Sequence, residues 1–246
     1  MIVALIPARL KSKRLPNKPL INIENLPLIM HVYNRAKLSK KLDRVIVCAD
    51  EMKIVNLVKK YGGDAIITNK NHKNGTERIQ EVAKKINAKL VIDIQCDAAF
   101  IDPKEIDRLI NFHKKNNHYD IVIPHSEYNT EKDNSAVKLC SDKYGKILYM
   151  SRHDIPLSFY NRKRYLQRHQ DFISFKKTSL GKFSRLKKSK LENLEGIELL
   201  RALENRMNLG TYKIKDNHPV SSINNRQDLK NAKKRMRSDK IKLEYV

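Results

Sequence analysis

Several features that mark particular protein classes are scarce or absent in this sequence of 246 residues. Its three cysteines, Cys48, Cys96 and Cys140, form no CxxC pair and lie in apolar runs, so buried, inert thiols are expected. The apolar stretch at the amino terminus ends at Pro7 and is too short for a secretion signal or a membrane span. We therefore expect a cytoplasmic protein with no membrane span.

Acidic residues are also scarce relative to basic ones. The chain has 27 Asp and Glu against 51 Lys and Arg, which gives a formal net charge of +24. This charge favours polyanionic partners, whether nucleotides, nucleic acid or an anionic membrane surface. The densest basic stretches, residues 162–168, 176–190 and 230–242, do not interleave aromatic residues as a single-strand-binding platform would. They form no recognisable RNA or DNA module, so a specific nucleic-acid partner is not predicted.

The composition and the periodicity fit one folded domain with a core of its own. The chain is 40% apolar and 32% charged, and at this length it needs no disulfide or structural metal. In the first 125 residues, short β-branched runs alternate with segments of helical spacing, which predicts an α/β fold with a mostly parallel sheet covered on both faces. The runs are residues 2–6, 44–48, 64–67, 90–94 and 121–123, and the helical segments are 28–38, 52–58, 79–86 and 106–112.

The second half shows a weaker βα rhythm. Residues 137–140 and 147–150 flank a turn-rich link and predict a β-hairpin. Leucines and glutamates at helical spacing predict a helix across residues 191–203, in which the leucines pack in the core. Residues 226–236 predict a final amphipathic helix, followed by a basic tail at 238–246.

A basic, proline-stiffened loop follows the first predicted strand. It carries Arg9, Lys11, Lys13, Arg14 and Lys18 between Pro7 and Pro19. Ligands of open α/β sheets lie beyond the carboxyl ends of the strands, which is where this loop begins. Arginine can grip phosphate oxygens with two hydrogen bonds, and lysine adds a point charge. The loop is neither GxxxxGK[ST] nor GxGxxG, and it is interpreted as a phosphate-binding loop or, alternatively, as a merely solvated basic loop.

Residues 90–97, which include the run at 90–94, are a second candidate for a functional site. Residues 90–97 alternate apolar and polar types, which would place Asp93, Gln95 and Asp97 on one strand face. Acidic residues on a central strand suggest a functional site. The alternative interpretation is an edge strand with one solvent-exposed face.

The residues of the basic loop, IPARxxSxRLPxKPL, resemble the nucleotide-binding signature of the 3-deoxy-manno-octulosonate cytidylyltransferases, which are sugar-activating enzymes of lipopolysaccharide assembly. Further segments continue the resemblance in order over essentially the whole chain: 72–78 (HxSGTxR in the family), 135–138 (NAVK), 149–156 (YFSRxxIP), 168–169, 191–195 and 228–229. The resemblance implies a Rossmann-like fold in one domain, residues 1–246, with a nucleotide-binding half (1–125) and a smaller sugar-binding and dimerisation half (126–246).

The resemblance also implies a reaction and a set of site residues. CTP would be joined to the anomeric hydroxyl of an acidic eight-carbon sugar with release of pyrophosphate, with Mg²⁺ as cofactor, in a homodimer. Lys18 and Asp97 would be catalytic. Nucleotide contacts would come from Ala8, Arg9, Arg14, Lys18, Gly75, Thr76 and Arg78. Sugar contacts would come from Gln95, Arg152, His169 and Glu192, and Mg²⁺ would be bound at Asp97 and Asn224.

The chain departs from the family pattern at the implied metal and sugar sites. Residues 95–99 replace QGDEP and lose the glycine, the second acid and the proline, and Asn224 stands where the family has its second metal-binding aspartate. Ile173 and Lys176 replace a tyrosine and an arginine of the sugar segment. Three interpretations remain open: an active enzyme whose Mg²⁺ is held mainly by Asp97 and the triphosphate, a relative specific for another acidic sugar or nucleotide, and a nucleotide-binding protein without catalysis.

Overall fold

The computed structural model describes residues 1–12, 14–128, 133–157, 159, 166–215 and 222–246. The strands are β1 (Ile2–Ala8), β2 (Asn22–Ile23), β3 (Leu26–Pro27), β4 (Arg44–Ala49), β5 (Ala65–Ile67), β6 (Leu90–Ile94), β7 (Ile121–Tyr128), β8 (Lys138–Ser141), β9 (Ile147–Ser151), β10 (Leu166–His169), β11 (Phe172–Lys176) and β12 (Leu209–Lys213). The helices are α1 (Leu28–Lys37), α2 (Met52–Lys60), α3 (Gly75–Lys84), α4 (Pro103–Lys115), α5 (Lys177–Phe183), α6 (Lys190–Glu195), α7 (Leu200–Glu204) and α8 (Arg226–Arg237).

One mixed sheet of ten strands runs through both halves of the chain. Strands β5, β4, β1 and β6 pair in parallel in that order. Strand β11 then pairs antiparallel with β6, and β7 pairs antiparallel with both β11 and β10. Strand β12 joins β7 in parallel, and the β8–β9 hairpin extends the sheet beyond β10. The predicted α/β class is confirmed, and the parallel pairing is concentrated in the first half because βα crossovers occur there.

Two apolar cores cover the two faces of the sheet, since the side chains of a strand alternate between faces. Along β1, Ile2, Ala4 and Ile6 pack with residues of α1, α2 and α4. Val3 and Leu5 face the other way, toward α3, α5 and α7. Helices therefore cover both faces of the sheet, as predicted.

No helix among the residues described is long and apolar enough to cross a membrane.

The helix predicted across residues 191–203 is wrong, because the chain breaks into α6 and α7. Gly196 has φ 63° at the end of α6, and its N–H donates to the Glu192 carbonyl. That left-handed conformation suits glycine and ends a helix. Leu199 is buried as expected, whereas Leu194 is 73% exposed. The predicted hairpin and the final helix are present as β8–β9 and α8.

The carboxyl-terminal segment packs on the first half of the molecule instead of forming a free basic tail. Ala232 and Met236 of α8 join Leu15, Ile23 and Phe100 in a third apolar cluster. Beyond α8, the Tyr245 hydroxyl and His31 Nδ1 are 2.8 Å apart, and the buried Arg35 forms an ion pair with Asp239. This packing brings the start of α8, and Asn224 just before it, to the edge of the parallel sheet.

Candidate active site

A cleft of about 900 Å³ opens at the carboxyl ends of β1 and β6, where the sequence predicts ligand binding. It is lined by the end of β1 and the loop that follows it, by the start of α3 and the residues before it, by the turn after β6, and by Asn224, which lies two residues before α8 begins. The lining residues are Pro7, Ala8, Arg9, Lys11, Ser12, Arg14, Lys18, His72, Lys73, Asn74, Gly75, Arg78, Gln95, Cys96, Asp97 and Asn224. Of the predicted nucleotide-binding residues, all except Thr76 line this cleft.

The described part of the basic loop, which leaves out Lys13, has a defined shape that turns Arg9, Lys11, Arg14 and Lys18 toward the cleft. The Asn17 N–H donates to the Leu10 carbonyl at 3.3 Å, Asn17 adopts φ 55°, and Leu15 is buried beneath the loop. The Leu10 N–H donates to the Asp50 carboxylate at 3.3 Å, which ties the loop to the end of β4. In the part of the chain that the structure describes, no carboxylate lies within ion-pair distance of Arg9 or Arg14. Their guanidinium groups are therefore available for an anion.

Lys18 and Asp97 meet across the cleft in an ion pair. Asp97 does not lie on a strand, because β6 ends at Ile94 and a turn follows in which the Ala98 N–H donates to the Gln95 carbonyl at 3.0 Å. The predicted strand face shared by Asp93, Gln95 and Asp97 is therefore wrong. Ala98 and Ala99, which replace an acid and a proline of the family pattern, are fully buried and anchor the turn in the core.

The amino terminus of α3 forms another wall of the cleft. The Asn74 side chain caps the helix by accepting from the Glu77 N–H at 2.8 Å. A side chain at position 75 would bring its Cβ to 3.1 Å from Pro7, so glycine permits the close approach of α3 to the loop after β1. Uncapped N–H groups and the helix dipole make a helix amino terminus favourable for phosphate. The sequence signal for this cap is an asparagine followed three residues later by glutamate.

Two predicted nucleotide-binding residues of α3 make internal contacts. The Thr76 hydroxyl donates to Glu198 Oε2 at 3.1 Å and does not line the cleft. Arg78 lines the cleft but is only 4% exposed; it donates to the Thr68 hydroxyl and lies 3.9 Å from the Asp50 carboxylate. Both residues therefore support the walls of the cleft, and their contact with a nucleotide stays a prediction.

The two residues predicted to bind Mg²⁺ both line the cleft. Asn224 Oδ1 accepts a hydrogen bond from Arg14 Nη2 at 3.0 Å, and Asp97 contacts Lys18. No group of three or more His, Cys, Asp or Glu suited to a metal ion occurs among the described residues. Mg²⁺ commonly binds one or two carboxylates together with substrate phosphates, so one carboxylate and one amide oxygen beside a phosphate-binding cleft fit that mode.

Gln95 lines the cleft and lies above a buried acid. Its Nε2 is 3.4 Å from Asp93 Oδ2, and Asp93 is 2% exposed. Burial raises the pKa of Asp93 to about 8, with a further contribution from the charge of Glu198. Burial likewise raises the pKa of Glu198 to about 7, against the hydrogen bond from Thr76 and the charge of Arg201. Neither acid lines the cleft, and Glu198 borders a neighbouring side pocket.

The other predicted sugar-binding residues lie outside the lining of the cleft. The Arg152 guanidinium donates to the backbone carbonyls of Asn134, Ser135, Glu195 and Gly196. His169 lies on β10, where burial and then the charge of Arg168 lower its pKa to about 4.

Glu192 is buried in a double hydrogen bond with Arg201, at 2.6 and 2.8 Å, and it also completes the capping box of α6. It borders a side pocket of about 250 Å³ that shares Lys73 and Asn74 with the cleft. A role of Arg152, His169 and Glu192 in sugar binding stays a prediction.

Sequence reasoning missed a further acid near Asp97. Asp171 lies in the turn between β10 and β11, and its carbonyl accepts from the Gln95 N–H at 2.9 Å. Burial raises its pKa to about 6, and the charge of Asp97 adds to this, while the Ser222 hydrogen bond opposes it. Its position depends on antiparallel pairing between β11 and β6, which no local pattern reveals.

The thiols differ from expectation as well: Cys48 is buried, but Cys96 and Cys140 are only partly buried.

Comparison with known proteins agrees with the fold. A cytidylyltransferase family model matches residues 3–209. The chain is 36% identical over 237 residues to the 3-deoxy-manno-octulosonate cytidylyltransferase of Rickettsia prowazekii, covering 94% of this chain and 93% of that one. It is 34% identical over 215 residues to the enzyme of the same name from Leptospira biflexa, covering 86% and 87%.

A solved structure of a CMP:2-keto-3-deoxy-manno-octonic acid synthetase complexed with CTP superposes with a TM-score of 0.92 at 28% identity, covering 96% of this chain and 98% of that one. The family match extends over most of the sequence, and the curated relatives align along nearly their full length. This chain therefore belongs to the cytidylyltransferase family.

Proposed function

We propose that this protein joins CTP to 3-deoxy-manno-octulosonate, giving the CMP-sugar and pyrophosphate for lipopolysaccharide synthesis. The observation that carries the proposal is the contact of Lys18 with Asp97 inside a cleft lined by Arg9, Arg14 and the amino terminus of α3. The relatives act on this sugar according to their names, and the solved neighbour holds CTP.

The reaction exchanges a phosphoanhydride bond of CTP for a phosphate ester bond to the sugar. The anomeric hydroxyl oxygen of the sugar bonds to the α-phosphorus of CTP as the bond from that phosphorus to the β-phosphate oxygen breaks, and the hydroxyl proton passes to solvent. Pyrophosphate leaves with the electron pair of the broken bond. No covalent enzyme intermediate is needed, so the protein contributes mainly alignment and charge.

The cleft residues divide these tasks. Arg9 and Arg14 bind phosphate oxygens through paired N–H donors, and Lys18 stabilises the negative charge that builds up on the leaving pyrophosphate. The backbone N–H groups at the start of α3 add a fixed positive potential. Gln95 offers an amide to a sugar hydroxyl from the floor of the cleft.

Asp97 would hold Mg²⁺ together with the triphosphate, with Asn224 as a neutral oxygen ligand. When bound, the ion would neutralise phosphate charge and help to align the reacting groups. Lys18 keeps the Asp97 carboxylate facing the cleft through their ion pair. Arg14, in contact with Asn224, holds the other proposed ligand beside the phosphate site.

A related acidic sugar as substrate is a second candidate, because Arg152 and Glu192 are both occupied by internal contacts. A homodimer formed by the second half is a further part of the proposal, supported by the exposure of Leu148 (59%), Leu157 (83%) and Leu194 (73%). The cytoplasmic location predicted from the sequence stays a prediction.

The test is release of pyrophosphate by the purified protein with CTP, Mg²⁺ and a panel of acidic sugars. We expect turnover with 3-deoxy-manno-octulosonate, and we expect Asp97→Asn to lower kcat by about 10²- to 10³-fold, as removal of a charge-stabilising group does in other enzymes. Asp142, which is partly exposed and does not line the cleft, provides the control variant Asp142→Asn. Binding of CTP without turnover on any sugar would support the nucleotide-binding interpretation in place of catalysis.

A further inference from the structure

A hydrogen bond between two residues outside the cleft lining holds the segment that carries Asn224. Ser222 Oγ donates to Asp171 Oδ2 at 2.5 Å. The backbone of Asp171 is fixed in turn, because its carbonyl accepts from the Gln95 N–H and Phe172 pairs with Ile94 at the end of β6. Asp171 therefore connects the turn after β6, which bears Asp97, to the segment that precedes α8.

These contacts are part of a closed ring beside the cleft. Each member either contacts the next through a side chain or backbone hydrogen bond or lies within four residues of it in sequence. In order, the members are Asp97, Lys18, Arg14, Asn224, Ser222, Asp171 and Gln95. All of them line the cleft except Ser222 and Asp171. These two residues hold the others in place and are not placed to touch a nucleotide.

The member that gains most from such support is Arg14. Its side chain is exposed, and in the described parts of the chain its guanidinium has one side-chain partner, Asn224 Oδ1 at 3.0 Å. A long, flexible side chain loses conformational freedom when it binds a phosphate, and holding it beforehand in the bound orientation reduces that cost. Asn224 can hold Arg14 only if its own segment is fixed on both sides. The Asn224 N–H donates to Asp228 Oδ2 at 2.8 Å on the side of α8, and the Ser222–Asp171 hydrogen bond supplies the fixed point on the other side, two residues away.

We infer that Asp171 is a positioning residue for nucleotide binding, which acts through Ser222 and Asn224 to hold Arg14 toward the phosphate site. This inference rests on the proposed function, because it takes the cleft to be the CTP site. It assigns to the turn between β10 and β11, in the second half of the chain, an indirect effect on nucleotide binding by the loop after β1.

The test measures the CTP dissociation constant by calorimetry without sugar, and KM for CTP and kcat with sugar. Asp171→Ala and Ser222→Ala are each expected to weaken CTP binding about three- to tenfold. The kcat of each variant at saturating CTP should stay within about twofold of the wild-type value. The double variant should bind CTP as tightly as the single variant with the lower CTP affinity, because both changes remove the same hydrogen bond. Asp171→Asn retains an oxygen acceptor and should keep an affinity close to that of the wild type.

A matched control comes from Ser179 and Asp120, a serine–aspartate pair at 2.7 Å that does not line the cleft. Ser179→Ala should leave CTP affinity unchanged. Wild-type affinity in both Asp171→Ala and Ser222→Ala would overturn the inference. It would also be overturned if Asp171→Asn were as impaired as Asp171→Ala while Ser222→Ala were silent, since the charge of Asp171 would then be what matters. If the wild-type protein bound no CTP, the proposed function itself would fail.

Discussion

The arginines of the loop after β1 and those of the second half differ in their contacts. In the first half, Arg9 and Arg14 extend from a proline-stiffened loop into the cleft with no carboxylate partner among the described residues. In the second half, the Arg152 guanidinium donates to four backbone carbonyls, and Arg201 is paired with Glu192. Arg9, Arg14 and Arg152 all occur in segments that resemble the same family. A shared residue type therefore does not distinguish ligand binding from internal support, whereas the partners of the side chain do.

The strongest test of this contrast compares Arg14→Ala with Arg152→Ala. Loss of Arg14 removes charge-assisted hydrogen bonds to phosphate, each worth about 1.5 to 3 kcal/mol, so KM for CTP should rise on the order of tenfold or more. Loss of Arg152 leaves four carbonyls without a donor, and unfolding should become easier by about 2 kcal/mol, a fall in Tm of roughly 4 to 8 °C. Steady-state kinetics and thermal unfolding of both variants provide the measurement.

The contrast would break if Arg152→Ala kept the wild-type Tm and raised KM for the sugar. Arg152 would then bind the sugar, as the resemblance implies, and its internal hydrogen bonds would be a state of the protein without ligand. Lys143→Ala, a change at an exposed lysine in the turn between β8 and β9, serves as a control expected to alter neither quantity.

A second test uses pH to probe Asp93, which is buried and, unlike Asp97 with Lys18, has no ion-pair partner among the described residues. The pKa of Asp93 is about 8 in the folded protein because of burial and the charge of Glu198, against about 3.9 in an unfolded chain. Its contribution to stability is complete below the unfolded pKa and is lost as pH rises through 8. Between pH 6.5 and 9 the wild-type free energy of unfolding should fall by about 2 kcal/mol more than that of Asp93→Asn.

Denaturant unfolding at several pH values checks this difference. Burial lowers the pKa values of His113, His125 and His169 to about 4, and the contribution of these groups is the same in both proteins, so it cancels from the difference. Parallel stability curves for the two proteins would mean that Asp93 is ionised in the folded state at pH 6.5.

The sequence predicted the parts of the site that depend on local features better than the parts that depend on long-range contacts. The loop after β1 and the start of α3 are local features, and Arg9, Arg14, Lys18 and Gly75 all line the cleft, while their contact with a nucleotide stays a prediction. The turn at Asp97 was not predicted, since the alternating pattern of residues 90–97 continues past the end of β6. Asp171 and Ser222 had no signal at all, because their contact joins residues that are 51 positions apart.

The smallest expected effect concerns Asn224, where the two halves meet. Asn224→Asp keeps an oxygen that can accept from Arg14 and adds a negative charge beside Asp97 in the cleft. A hard divalent cation binds more tightly to two carboxylates than to one carboxylate and one amide. The Mg²⁺ concentration for half-maximal activity should therefore fall a few-fold, with KM for CTP little changed. Asn231→Asp, on the exposed side of α8, adds the same charge outside the cleft lining and should leave the Mg²⁺ requirement unaltered. An unchanged requirement in Asn224→Asp would show that residue 224 contacts Arg14 without reaching the metal, and the adaptation of the metal site would then have to be sought on the side of Asp97 and the triphosphate.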